Sequence, residues 1–410
     1  MLGIAVLALG ALAVLIPSIR FGILTIVGLR ASGETGIAKT CEDPTIGSGL
    51  LPEPEIPPDA TRIEVGESVQ DALDLVGTDG KVVLAAGIHR GASTRPLGGQ
   101  MIFGEPGAVL SGDGAPFAFR SSASEIRIQG LVIEGYRPDD KAGVIHGEEG
   151  ASGWTVTGNE VRANGEIGVV AKSGWTVASN LIHHNGRYGV TGSGANLLVH
   201  ANEIACNSVE LGSTPASGAT KFVHTNDLVL SENYVHNNLG NGLWIDINNV
   251  DPLVDANRII DNALAGIFIE ISCGGLVTNN QVSGNGFGTQ RPLRMNNSGI
   301  FVSTSPGVEI TGNRVAGNAK GIGALHWAHG NRQAVDQCNP ELRDLRVHGN
   351  QIEQETGLVA GIDATIDGEE VWTQWRNTFF DNEYSIGSEG RFRWEDRTIG
   401  LSDWLSLGLK

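Results

Sequence analysis

From Asn159 to the segment NTFFDN at Asn377 one motif keeps returning: Asn, any residue, a hydrophobic residue, two further residues, Asn, then Gly and an aliphatic residue. It reads NEVRANGEIGV from Asn159, NLIHHNGRYGV from Asn180, NEIACN from Asn202, NYVHNNLGNGL from Asn233 and NRIIDNALAGI from Asn257. It goes on as NQVSGN from Asn280, NRVAGNAKGI from Asn313, NQIEQETGL from Asn350 and NTFFDN from Asn377. The leading Asn residues are 21, 22, 31, 24, 23, 33, 37 and 27 positions apart. A coil of about 20–24 residues, with insertions in some, accounts for every spacing and marks a solenoid. Each coil of a parallel β-helix advances by the strand separation, about 4.8 Å, so about eleven or twelve coils make a rod of roughly 55 Å.

The residue types fit the corners of such coils. Gly is 58 of 410 residues, twice its usual share of roughly 7%. Asn and Gly tolerate the left-handed backbone that other residues resist, and stacked Asn side chains bond in ladders along the axis. Aliphatic residues two apart point inward and build one apolar core. The second Asn column (Asn164, Asn185, Asn207, Asn238, Asn262, Asn285 and Asn318) is therefore assigned to structure.

The flanks change character. Leu2–Ile16 and Phe21–Leu29 are largely apolar, interrupted by Arg20, and are long enough together to span a bilayer. Residues 1–30 are expected to be an uncleaved transmembrane or signal anchor. Residues 31–60 hold five prolines and read as an extended spacer. In residues 61–80, Val69, Ala72, Leu73 and Val76 form the stripe of a short helix, expected to cap the solenoid. Residues 81–385 form the solenoid, and residues 386–410, with Phe392, Trp394 and Trp404, form a C-terminal cap in which Ser402 starts a short helix.

The net charge of −18 disfavours nucleic acid as a partner. Four cysteines without CxxC spacing argue against structural zinc. Cys273 follows the strand ending near Glu270, and Cys338 lies in an insertion between Leu325 and Arg343 long enough to fold back, so a Cys273–Cys338 disulfide is expected.

These repeats, with KVVLAAGIHRG and GEPGAVLSGDG before them, resemble the pectin-lyase-like superfamily of right-handed parallel β-helix proteins over about residues 61–410. The resemblance implies an all-β right-handed parallel β-helix, usually outside the cytoplasm. It leaves open polysaccharide lyases, glycoside hydrolases, uronate epimerases and binding or structural proteins. The chain carries neither the polygalacturonase residue set nor the Asp-Pro-His-Asp of mannuronan epimerases. Asp139–Asp140 is its one Asp-Asp pair.

Candidate chemistry lies on three aligned strands, GLWIDIN from Gly242, GIFIEIS from Gly266 and GIFVSTS from Gly299. Alternation sends Trp244, Asp246 and Asn248 to solvent, as it does Phe268, Glu270 and Ser272, and Phe301, Ser303 and Ser305. An exposed aromatic column beside carboxylates suits a sugar, which stacks its apolar face and bonds through its hydroxyls. The corner from Asn207 to Gly218 takes eleven residues and that from Asn285 to Gly299 fourteen, against four in most coils. The two loops, 208–217 and 286–298, are expected to wall the strip, the second bringing Arg291 and Arg294 to a substrate carboxylate. Lys221 and His224 lie one coil before Asp246 and could take a proton in β-elimination. Asp246 and Glu270 could instead serve as the carboxyl pair of a glycosidase, or hold Ca2+, the one cofactor considered. His326 and His329 lie in a long insertion, and no metal site is assigned. The expected function is a membrane-anchored extracytoplasmic protein that cleaves a polysaccharide as lyase or hydrolase. The alternative is a non-catalytic carbohydrate-binding or surface-structural β-helix.

Overall fold

The computed structural model describes residues 41, 46–47, 51–288, 294–327, 337–366 and 368–409. The expected membrane anchor, Arg291 and His329 lie outside them. No helix among the described residues is long and apolar enough to cross a membrane.

Each coil contributes short strands that pair in parallel with their counterparts one coil away. Thirteen strands, from Thr61–Ile63 to Thr378–Phe380, stack in one sheet. The other two faces of the coil share a 22-stranded sheet, in which Glu160–Arg162 pairs with Leu181–His183 and Ile167–Ala171 with Val190–Ala195. Pairing is parallel throughout, except where Arg397–Ile399 folds back on Glu383–Trp394. The chain is a right-handed parallel β-helix protein. Inward positions stack in register: Val156, Val177, Val199 and Leu230 succeed one another at 0% exposure, and Trp154 stacks on Trp175 with ring centroids 4.4 Å apart.

Two buried Asn ladders run along the corners. Asn164, Asn185, Asn207, Asn238, Asn262 and Asn285 each pass an Nδ2–H to the next Oδ1, ending at Asn318, at 2.9–3.1 Å. Each Oδ1 from Asn207 onward also accepts the backbone N–H of the preceding Asn, as Asn207 does from Asn185 at 3.1 Å. These amides satisfy buried corner groups that water cannot reach.

Here the sequence reading needs correction. The left-handed residue is not the ladder Asn but the one before it: Ala163, His184, Cys206, Asn237 and Asp261 have φ between 49° and 57°. Such strain costs about 1–3 kcal/mol, and the ladder bonds offset it even for Ala and Cys. The last repeat is also misplaced. Asn382, not Asn377, accepts from Asn350 at 2.9 Å, while Asn377 accepts from Leu345 N–H at 3.0 Å. The same five-residue step separates a strand start from its following corner, so the motif matches twice.

The helix Val69–Val76 forms where the stripe placed it, capped by Ser68 Oγ on Asp71 N–H, with Val69 and Leu73 buried. Gln100 Nε2 donates to the Leu73 and Gly77 carbonyls at 2.7 and 2.8 Å, tying the helix end to the next coil. The Pro-rich segment is not a free spacer where it is described. Gly47 N–H donates to Glu203 Oε1 at 2.8 Å and Cys41 Sγ to the Asn237 carbonyl at 3.3 Å, so it lies along the coils it was expected to stand clear of. Near the C-terminus, the helix Leu401–Ser406 is capped by Gly400, which puts Ser402 inside it and Trp404 in the core.

Candidate functional site

The aligned strands are Thr220–Asn226, Leu243–Asp246, Ile267–Glu270, Ile300–Ser303 and Ile322–His326. Leu243, Ile245, Ile267, Ile269, Ile300 and Val302 fill the core. Alternation therefore turns Trp244, Phe268 and Phe301 to the outer face, one above another in register. Their rings stack with centroids 5.7 and 4.8 Å apart. In the next outward row Asp246 pairs in register with Glu270, and Glu270 with Ser303.

Outward does not mean exposed. Trp244, Asp246, Glu270 and Phe301 are buried and only Phe268 is half-buried, against the expectation of a solvent-facing strip. The inserted loops are the reason. The aromatic column ends at Gly323, in register with Phe301, and a Cβ there would meet Met295 Cβ at 2.7 Å. Met295 thus sits over the end of the column, packed with Phe301 and Phe268. Asp363 Oδ2 holds the Met295 N–H at 2.7 Å and Asp363 Oδ1 the Arg393 Nε–H at 2.6 Å. At the other end Tyr188 packs on Trp244, and its hydroxyl donates to the Ala216 carbonyl of the first loop at 2.5 Å. Burial pushes the Tyr188 phenol up to about 12, opposed by Arg187 and helped by the Asp246 and Glu166 charges. The two loops also converge, since a Cβ on Gly288 would meet Ser213 Oγ at 2.7 Å. There the described parts of the two loops meet instead of standing apart as walls.

Lys221 is the cation of this face. Its Nζ lies 2.8 Å from Asp246 Oδ2 and 3.4 Å from the centroid of the Trp244 ring. Its side chain is 25% exposed, against 3% for Asp246. Asp246 Oδ1 is buried and accepts no hydrogen bond among the described residues, an arrangement that costs free energy when nothing uses it.

The remaining candidates fall elsewhere. The strands end in left-handed Ile247, Ile271 and Thr304, which breaks the alternation. Ser272 and Ser305 consequently turn inward into a hydroxyl ladder, with Ser272 N–H donating to Ser305 Oγ at 3.0 Å. His224 and Asn248, both left-handed, meet at the corner at 3.3 Å, away from the carboxyl row. Arg294 is exposed on the second loop. His326 is buried against Trp375 with ring centroids 4.8 Å apart. No group of His, Cys, Asp and Glu among the described residues could hold a metal ion. Cys273 and Cys338 are joined, with Cα atoms 5.9 Å apart, as their spacing suggested.

Two residues of the face escaped the sequence reading. Tyr188 is an unusual aromatic directly before a strand Gly, a signal available in NGRYGV. Trp327, in HWAH, donates its Nε1–H to Ser303 Oγ at 2.9 Å.

Residues 143–290 match the family described as right handed beta helix region. No curated protein matches the sequence. Among solved structures, the A-module of the Azotobacter vinelandii mannuronan C-5 epimerase AlgE4 is 17% identical, covering 79% of this chain and 94% of that one, with a TM-score of 0.54. The A-module of AlgE6 from the same organism is 20% identical, covering 78% and 92%, with a TM-score of 0.53. At such identity the likeness is one of fold.

Proposed function

We propose that the face bearing Lys221, Asp246, Phe268 and Glu270 binds and hydrolyses a polysaccharide outside the cytoplasm. The observation that carries this reading is the Lys221–Asp246 pair, in which the buried Asp246 Oδ1 accepts no hydrogen bond among the described residues and the neighbour in register is another carboxyl, Glu270. A pair serving structure alone would be expected to satisfy both oxygens. Strand registration sets the Cα atoms of Asp246 and Glu270 about 4.8 Å apart, and both side chains leave the same outer face.

In this reading Asp246, ion-paired to Lys221, is the nucleophile and Glu270 the proton donor to the leaving sugar oxygen. Lys221, held by the carboxylate and the indole, is a poor free base, and this weighs against β-elimination. The mannuronan named for the two neighbours makes that polymer the first substrate to try. The missing Asp-Pro-His-Asp makes epimerisation the less favoured outcome.

The depth of burial favours a second reading, in which the aromatic column only braces the sheet and glycan binds at its rim without being cleaved. Supporting observations for the setting are the disulfide, which belongs to oxidising compartments, and the apolar segment within residues 1–30, read as the anchor. The helix Val69–Val76 closes the first coil. The full chain should be incubated with mannuronan, polygalacturonate and a neutral β-glucan while new reducing ends are counted. Wild type should release them from one polymer, and Glu270→Gln should fall by on the order of a hundredfold or more. Unchanged release by Asp246→Asn and Glu270→Gln would remove both carboxyls from the chemistry.

A further inference from the structure

Two cysteines lie outside the Cys273–Cys338 bridge, and both carry thiols in this structure. Cys206 takes the left-handed corner position before the ladder Asn207, with φ of 49°. Residues one coil to either side take the same position, His184 before Asn185 and Asn237 before Asn238, since His183, Ala205 and His236 pair in register just ahead of them. In this column Ala163 is exposed, and His184, Asn237 and Asp261 are half-buried, yet Cys206 is 0% exposed.

Cys41 lies against this point of the column. Its carbonyl accepts from His184 Nε2 at 3.1 Å, and its thiol donates to the Asn237 carbonyl at 3.3 Å. One residue is thus held by both neighbours of Cys206, each of them one strand spacing, about 4.8 Å, away from it. Cys41 therefore straddles the coil of Cys206. Disulfides join Cα atoms about 4.4–6.8 Å apart, a span of the same order as one coil advance.

We propose that Cys41 and Cys206 form a second disulfide, which fastens the segment before the first coil to the flank of the solenoid. The partly exposed Cys41 thiol turns off the Asn237 carbonyl, and as thiolate it attacks an external disulfide, releasing one thiol. The Cys206 thiolate then attacks the Cys41 sulfur of the mixed disulfide and releases the second thiol. Two electrons pass to the external disulfide, and both cysteines give up their protons. The compartment that oxidises Cys273 and Cys338 supplies such a reagent. Further along the segment, Gly47 N–H is held by Glu203 Oε1 at 2.8 Å, Leu51 and Pro52 line a hollow with Ser179 and Leu181, and a Cβ on Gly130 would meet Pro54 Cγ at 2.7 Å. Residues 51–60 form neither strand nor helix, and such isolated contacts are weak one by one. A covalent link at Cys41 makes the docking permanent. The proposal is independent of the polysaccharide reading.

Peptide mapping without reduction tests it. The folded full chain is incubated with oxidised glutathione, then denatured, alkylated with iodoacetamide and digested with trypsin. The expected result is a Cys41 peptide joined to a Cys206 peptide, beside the Cys273–Cys338 pair. Cys206→Ser should leave Cys41 unlinked to any cysteine of the chain, and Cys41→Ser should do the same to Cys206, with the Cys273–Cys338 pair intact in both. Recovery of Cys41 and Cys206 unlinked from wild type, while Cys273 and Cys338 stay joined, overturns the bond. Hydrogen exchange tests what the bond does. The Gly47 amide should exchange faster in Cys41→Ser than in oxidised wild type, and equal exchange overturns the fastening role.

Discussion

Removing Lys221 should cost far more than removing the carboxylate it pairs with. Asp246 is 3% exposed in its side chain and Lys221 25%. Lys221→Met leaves a desolvated carboxylate whose Oδ1 has no partner among the described residues, and breaking a buried pair in that way costs about 3–5 kcal/mol. The partial exposure of Lys221 screens the pair, which lowers the expectation to about 2–3 kcal/mol. Asp246→Asn leaves a lysine whose flexible stem can turn its ammonium to water, at a cost of about 1 kcal/mol or less. The double variant should recover most of the Lys221→Met loss, a coupling of roughly 2 kcal/mol. Calorimetric melting of the four proteins measures this, and for a chain of this size each kcal/mol moves the midpoint by about 1–2 °C. Equal losses for the two single variants, or a double variant no better than Lys221→Met, would show that the pair is not the buried, asymmetric unit described.

Acid should destabilise the fold through His146. Its pKa is pushed down to about 4, chiefly by burial, with Arg120 and Lys172 adding and Glu148 opposing, and its Nδ1 accepts the Gly143 N–H at 3.0 Å. The unfolded imidazole, near 6.5, takes up the proton first, so stability is full above about pH 6.5 and falls towards pH 4 by up to about 3 kcal/mol; melting curves of His146→Gln should be flatter across that window. Asn238→Ala breaks the ladder bonds to Asn207 and Asn262, leaves buried amides unpaired and should cost about 2–4 kcal/mol in thermal unfolding. Gly323→Ala forces a methyl into Met295 and Ser298 and should cost about 1–3 kcal/mol, with faster proteolysis of the second inserted loop. Reducing the Cys273–Cys338 bridge, 65 residues apart, should lower stability by up to about 4 kcal/mol, read as a lower melting temperature in reductant.

The coil period, the inward aliphatic rows and the Asn ladders were legible because each coil repeats one hydrogen-bonding problem and one solution. The register of Trp244 with Phe268 and of Asp246 with Glu270 was legible too, since strand alternation and a shared corner spacing fix it. Burial was not. Whether an outward side chain meets water depends on where Met295 and Tyr188 come to rest, and loops of irregular sequence carry no period. The inward turn of Ser272 and Ser305 was missed for a related reason: one left-handed residue, Ile271 or Thr304, ends the alternation, and nothing about Ile or Thr announces φ above zero. Asn377 misled because its spacing to Asn382 copies that between the two ladders.

If glycan meets this protein on the face of Lys221, Phe268 and Glu270, hydroxyl-radical footprinting of the full chain with and without mannuronan hexasaccharide should show it. Added hexasaccharide should reduce labelling at the half-buried Phe268 and leave Tyr234, which lies on another face of the coil, labelled as before. Protection of Tyr234 with Phe268 unchanged would put the glycan on the wrong face.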